Sequence, residues 1–220
     1  MSEKNEKKTA SSKVTVFLDT NKKVIIIFSV VVLVALAAFI CCEVALSSSH
    51  KKNLSKIDEI SYTLTNNSSE LSEEDLTARR TAALDSLAAY TKKSGITGIR
   101  ANMLAADLYY QVNDYENAVL CYEAAAKKNK GSYTNPVNAY NAAVCYEQLG
   151  NVEEASKAYK TAAYSKNQVI ANHAKFSYGR TLEALGNTDE AVKVYTELAD
   201  LEKADDWSRL AKTRLISISK

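Results

Sequence analysis

One proline and six glycines in 220 residues are too little punctuation for a fold of strands and tight turns, so the chain is expected to be all-α. Only two histidines are present, His50 and His173, which leaves no material for a zinc cluster, a metalloprotease helix or a Ser-His-Asp arrangement. The four cysteines, at 41, 42, 121 and 145, are too few and scattered for a disulfide scaffold. No Gly-Lys-Ser/Thr follows a glycine-rich stretch, and Gly95-Ile-Thr-Gly98 reads as a turn between helices rather than a phosphate loop. Residues 66–220 carry 19 Lys/Arg against 20 Asp/Glu, so they lack the basic face that phosphate binding demands and nucleic acid is excluded as the main partner. No catalytic, metal or cofactor residues are expected, and the chain reads as a non-enzyme.

Charge is also missing from one long run. Val24 to Leu46 is uncharged through Cys42, and its 23 positions span roughly 34 Å as a helix, enough to cross a bilayer core. A transmembrane helix over 24–46 is the expectation; a cleaved signal peptide ending near Ser47-Ser48-Ser49 and a lipid-modified Cys41 are the rivals. Cys41 and Cys42 then serve as small apolar residues of the helix, and Glu43 sits near the interface. Six lysines precede the run, whereas the twenty residues after it hold only Lys51, Lys52 and Lys56. That bias places the N-terminus in the cytoplasm and the rest of the chain across the membrane. Residues 1–23, polar and lysine-rich, read as a cytoplasmic tail without regular structure.

Residues 47–71 read as a helical stalk and a linker. Leu54, Ile57, Ile60 and Leu64 form one apolar face, suited to docking on the following domain or to self-association. Thr65 to Leu71 is the linker, and Ser72 followed by Glu73, Glu74 and Asp75 marks a helix start.

What the chain has in abundance is alanine and tyrosine at repeating distances. In Ala105–Ala125 two short helices fold back on each other across Asn113-Asp114, with small residues where backbones approach and Tyr109 and Tyr122 as filling. The plan recurs as Ala142, Ala143, Tyr146, Ala155, Tyr159, Ala162 and as Tyr178, Gly179, Leu182, Ala191, Tyr195, Leu198. From Ala118 to Ala155 is 37 residues and from Ala155 to Ala191 is 36, a period of helical solenoids. On these residues, and on the matched turns VNDYENA, LGNVEEA and LGNTDEA, the chain resembles the tetratricopeptide repeat (TPR) family. The resemblance implies a TPR helical-hairpin solenoid over 72–220: a cap helix at 72–98, repeats at 99–135, 136–168 and 169–204, and a closing helix at 205–220. Asn135 is expected to cap the second repeat before Pro136, and Leu210, Leu215 and Ile218 to cover the third. Asn102, Ala139 and Lys175 stand where the family has a large apolar residue, so looser contacts between repeats are expected there. Cys121 and Cys145 fall on adjacent repeats, either to pair in an oxidising compartment or to remain packed thiols.

The family's geometry lines a concave wall with the first helix of each pair. The positions that carry over are Arg100, Met103, Asp107, Tyr110 and Gln111; then Val137, Tyr140, Val144, Glu147 and Gln148; then His173, Phe176, Arg180 and Glu183. Val137 and Val144 are expected to pack within their own repeat. Such a mixed wall suits a peptide segment with apolar anchors. The whole layout resembles the bacterial YfgM-like proteins. That resemblance implies an inner-membrane, single-pass protein with a periplasmic TPR domain, associated with the translocon and with chaperones of exported polypeptides. An assembly scaffold for a cell-envelope complex is the alternative.

Overall fold

The computed structural model describes the backbone of residues 2–128 and 131–219, and side chains from Thr15 onward. Among the described residues there is no strand. The helices are α1 (Ser2–Thr65), α2 (Glu73–Thr91), α3 (Gly95–Gln111), α4 (Tyr115–Lys128), α5 (Thr134–Gln148), α6 (Val152–Ala163), α7 (Ala171–Ala184), α8 (Thr188–Ala199) and α9 (Asp206–Ile218), with a 3-10 turn at Ser68–Glu70. Two compact units divide the chain, Met1–Lys51 and Lys52–Lys220.

The first unit is the N-terminal part of α1. Its backbone is helical from Ser2, so the polar segment expected to lack structure is part of the helix. The helix is long and apolar enough to cross a membrane, with a mean hydropathy of 3.3 over its most apolar 18 residues, and from Val16 to Leu46 its apolar side chains are exposed except for half-buried Ile25.

In the second unit each helix packs on the next: α2 on α3, α3 on α4, and so on to α8 on α9. Residues 52–65, read as a stalk whose apolar face docks on the following domain or self-associates, are packed into that domain. Ile57 is buried among Ala83, Leu87, Ala101, Ala105 and Leu108, with Ile60 and Leu64 beside it. Arg79 of α2 donates to the Thr63 and Asn66 carbonyls at 3.0 and 2.7 Å, fixing the end of α1 against the start of α2. Arg100 of α3 reaches Asp58 at 2.6 Å. The supposed lone cap helix α2 is therefore the second member of a pair whose first member is 52–65. Ser72 caps α2 as expected, its hydroxyl accepting from the Asp75 amide at 3.2 Å.

The three hairpins turn alike. The amides of Asp114, Asn151 and Asn187 each reach back five residues, to the carbonyls of Tyr109, Tyr146 and Leu182, at 2.9 Å. This closure needs a left-handed residue just past the helix end. Gly150 and Gly186 supply it at φ 74° and 76°, and Asn113, the side chain that best tolerates that region, at φ 60°. Inside each hairpin, Ala118, Ala155 and Ala191 are fully buried where the helices approach, and Tyr122, Tyr159 and Tyr195 fill the space alongside. At Gly179 a Cβ would come within 2.6 Å of the Tyr195 ring, which is why glycine stands there.

Three local expectations change. Gly95–Gly98 is the first turn of α3, not a loop. Helix α5 begins at Thr134, ahead of Pro136, and Asn135 caps nothing: its amide donates to the Ala126 carbonyl of α4 at 2.9 Å. Leu210 points to solvent, and Trp207 joins Leu215 and Ile218 against the last repeat. Of the three contacts expected to be loose, Ala139 packs against Ala162, Ala163 and Ala174, and the other two are pinned by polar groups. Asn102 is buried and donates to the Thr91 and Gly98 carbonyls at 2.8 and 2.6 Å. Lys175 pairs with Glu197 at 3.4 Å and lies over the Tyr164 ring. Cys145 is buried and Cys121 half-buried; both are free thiols, with burial pushing Cys145 up to about 11.

Asn138 breaks the rule that buried polar atoms are paired. It is fully buried, neither its amide nitrogen nor its oxygen has a partner, and the matching positions of the flanking repeats are the buried alanines Ala101 and Ala174. Asn138→Ala is expected to stabilise the second unit by about 1 kcal/mol, the desolvation cost of the amide less the space it leaves. Ile57→Ala, in contrast, is expected to destabilise it by about 2–4 kcal/mol. Urea titrations of both variants check this; an Ile57→Ala chain as stable as the parent would detach 52–65 from the folded unit.

Candidate interaction surface

The carboxylates on the first helices are held by tyrosines on the second helices. Tyr159 donates its hydroxyl to Glu147 Oε2 at 2.6 Å and Tyr195 donates to Glu183 Oε1 at 2.6 Å. Each of these acids also takes an arginine from the next first-type helix. Arg180 of α7 meets Glu147 at 2.7 Å, and Arg214 of α9 meets Glu183 through two nitrogens, at 2.7 and 2.8 Å. A ladder of Tyr–Glu–Arg units thus runs from one repeat into the next. In the first hairpin Tyr122 donates to Asp107 at 2.5 Å, one helical turn away from the matching place, which Tyr110 occupies. Among the described residues no cation pairs with Asp107.

The electrostatics follow the partners. Hydrogen bonding from Arg214 holds the Glu183 pKa below the usual carboxylate value, against some burial and with help from Tyr195. Asp107, though in contact with solvent, has its pKa raised, because the surrounding protein strips water from it by more than the Tyr122 bond compensates. All three tyrosines are raised above 10, first by burial and then by their carboxylate partners.

A second cluster gathers three expected wall residues. The Tyr140 hydroxyl and His173 Nε2 lie 2.6 Å apart, His173 stacks on Trp207 with ring centres 3.9 Å apart, and Phe176 contacts both Trp207 and Tyr195. Burial lowers the His173 pKa. Trp207 was legible in the sequence only as the start of the closing helix. That it lies 34 residues after His173, close to one repeat, was the signal that it belongs to the same row.

The expected wall is thus of two kinds. Tyr140, His173, Phe176, Glu147, Arg180 and Glu183 are engaged in contacts between repeats, and Val137 and Val144 are half-buried, Val144 packing on the main core. Arg100 is paired with Asp58, Met103 is half-buried, and Tyr110 lies edge-on to Tyr115. Gln111 and Gln148 are exposed. Asp107 and Gln111 line a cleft of about 410 Å³ with Leu64, Leu76, Leu104 and Leu108, rimmed by Arg79 and Arg80. A further cleft of about 480 Å³ contains no expected residue. It lies between α4, α5 and α6 over Ala126, Ala139, Ala142 and Ala158, with the pairs Glu123–Lys127 and Glu154–Lys157 at its edge.

Tyrosines that titrate higher folded than unfolded lend stability that is complete below about pH 10 and fades as pH rises further. Glu183, which titrates lower when folded, lends stability above about pH 4.5 that fades as pH falls. Stability should therefore be level only between roughly pH 7 and 9, because buried His173 resists protonation below that window and buried Cys145 resists ionisation above it. Tyr122→Phe is expected to raise the Asp107 pKa further, and Arg214→Gln to raise that of Glu183; carboxyl NMR titration reads both, and unmoved values would break the ladder's assignment.

Residues 103–169 and 146–206 match the tetratricopeptide repeat family model. A TPR repeat-containing protein of Treponema pallidum (strain Nichols) is 32% identical over 138 residues, 63% of this chain. The chain spans 58% of that relative's length. The matched turns and the small/tyrosine interior fall within the stretch the family model covers, so residues 103–206 are similar to tetratricopeptide repeats, in helical hairpins stacked as that family stacks them.

Proposed function

We propose that the protein is a membrane-anchored TPR module which holds other polypeptides at a bacterial inner membrane. The observation that carries the reading is the pairing, in one chain, of a TPR stack with an N-terminal helix apolar enough to span a bilayer. The lysine bias around that helix favours a cytoplasmic N-terminus and a periplasmic stack. Exported polypeptides and parts of the export machinery are the partners such a placement offers, as the resemblance to YfgM-like proteins implies. Since most of the aromatic wall is consumed between repeats, the contact falls to the apolar cleft beside Asp107 and Gln111, where four leucines offer area and flanking polar groups set register.

A scaffold for an envelope complex is the second reading, favoured by the separate α4–α6 cleft. A photo-crosslinker at Gln111 in intact cells is expected to capture newly exported chains or translocon subunits, and one at Thr161 is expected to capture little. Capture only from Thr161, of a stable envelope complex, would favour the scaffold; protease protection of the C-terminus in spheroplasts would overturn the placement.

A further inference from the structure

The long edges of the TPR stack carry opposite charge. Turns from a first helix to its second, at 66–75, 111–117, 148–154 and 184–190, contain ten Asp/Glu and no Lys/Arg. The loops leading from one pair to the next, at 91–98, 126–134 and 164–170, contain six lysines and no acid; only the last, 200–206, is acidic. These three basic loops form one continuous strip, because they are bonded to one another. Lys128 Nζ donates to the Lys93 carbonyl at 2.7 Å, and Asn167 donates to the Gly131 carbonyl at 3.1 Å. Lys92, Lys93 and Lys166 are exposed on it, and so are three apolar or aromatic side chains: Tyr133 at 66%, Val169 at 61% and Tyr164 at 48%.

Lys52, the first residue of the second unit, belongs to the same strip. Residues 52–65 run antiparallel to α2, with Thr63 beside Arg79, and alongside α3, with Asp58 beside Arg100. Residue 52 is therefore level with the end of α2 and the start of α3, where Lys92 and Lys93 lie. The edge at which the chain enters the stack from its apolar helix is the edge that carries the lysines and the exposed rings.

We infer that this strip is a membrane-docking surface that takes anionic phospholipid headgroups, with the lysines on phosphate and Tyr133, Tyr164 and Val169 at the interface. The chemistry matches what such a surface needs: juxtamembrane cations attracted by the surface potential, and amphipathic rings that settle at headgroup level. Entry of the chain at this edge selects lipid over an acidic protein. The inference rests on the membrane anchorage proposed above.

The test uses the full chain in lipid nanodiscs containing brominated lipid, with tryptophan placed by Val169→Trp on the strip or Val112→Trp on the acidic edge, each read against the parent. In discs rich in phosphatidylglycerol, Val169→Trp should be quenched and Val112→Trp should not. The quenching should fall by about threefold or more in phosphatidylcholine discs, in about 0.5 M salt, and on adding Lys92→Glu, Lys93→Glu and Lys166→Glu. Far-ultraviolet dichroism confirms the fold of each variant. Co-elution with the disc without quenching at 169, quenching that ignores lipid charge, or a response only to added polyglutamate would overturn the docking surface alone. A chain that stays out of the disc would overturn the anchor, and the docking with it.

Discussion

The constraint beneath the whole stack is the distance between two helix backbones in a hairpin. Ala118, Ala155 and Ala191 have no accessible surface, and around them everything else is arranged by size. A backbone contact that close leaves a wedge on one side, which a tyrosine ring fills. The ring brings a hydroxyl that cannot be buried without an acceptor. The acceptors are Asp107, Glu147 and Glu183, and the last two attract an arginine from the first helix of the next repeat or from the closing helix. One steric requirement thus leads to a chain of polar consequences that joins successive repeats.

That sequence of requirements decides which wall residues stay free. Residues whose spacing matched a peptide groove were identified by position, and they lie on α3, α5 and α7. Engagement was invisible, because an acid on a first helix reads the same whether it faces water or an arginine thirty-one to thirty-three residues later. The hairpins, their turns and their alanine–tyrosine interior were legible because a repeat shows each feature three times. The contribution of 52–65 was only half legible: its apolar face is plain in the sequence, while its partner is settled by Arg79 and Arg100 reaching back across the chain. Helix starts such as Gly95 and Thr134 were misplaced because glycine and proline, usual markers of a break, here sit inside a first turn.

The charges follow the helix ends. Acids gather where second helices begin and, except at the end of α8, lysines where they finish, which suits the helix dipole at both places. In a single hairpin this is a small stabilisation. Stacked in register, the same local preference produces two edges of opposite sign, so a surface property of the array arises from a choice made separately in each repeat.

Asp107 is where the sharing between neighbours lapses. Glu147 and Glu183 each answer to a tyrosine behind and an arginine ahead, whereas the first acid answers to its tyrosine alone. The later hairpins and the closing helix are therefore strapped together through shared carboxylates, whereas the first meets the second through bonds of another kind, Tyr146 to Glu123 and Asn135 to the Ala126 carbonyl. Loss of the Glu147 or Glu183 carboxylate would thus be felt in two neighbouring repeats at once, whereas the hydrogen bond lost with Asp107 would lie within its own hairpin.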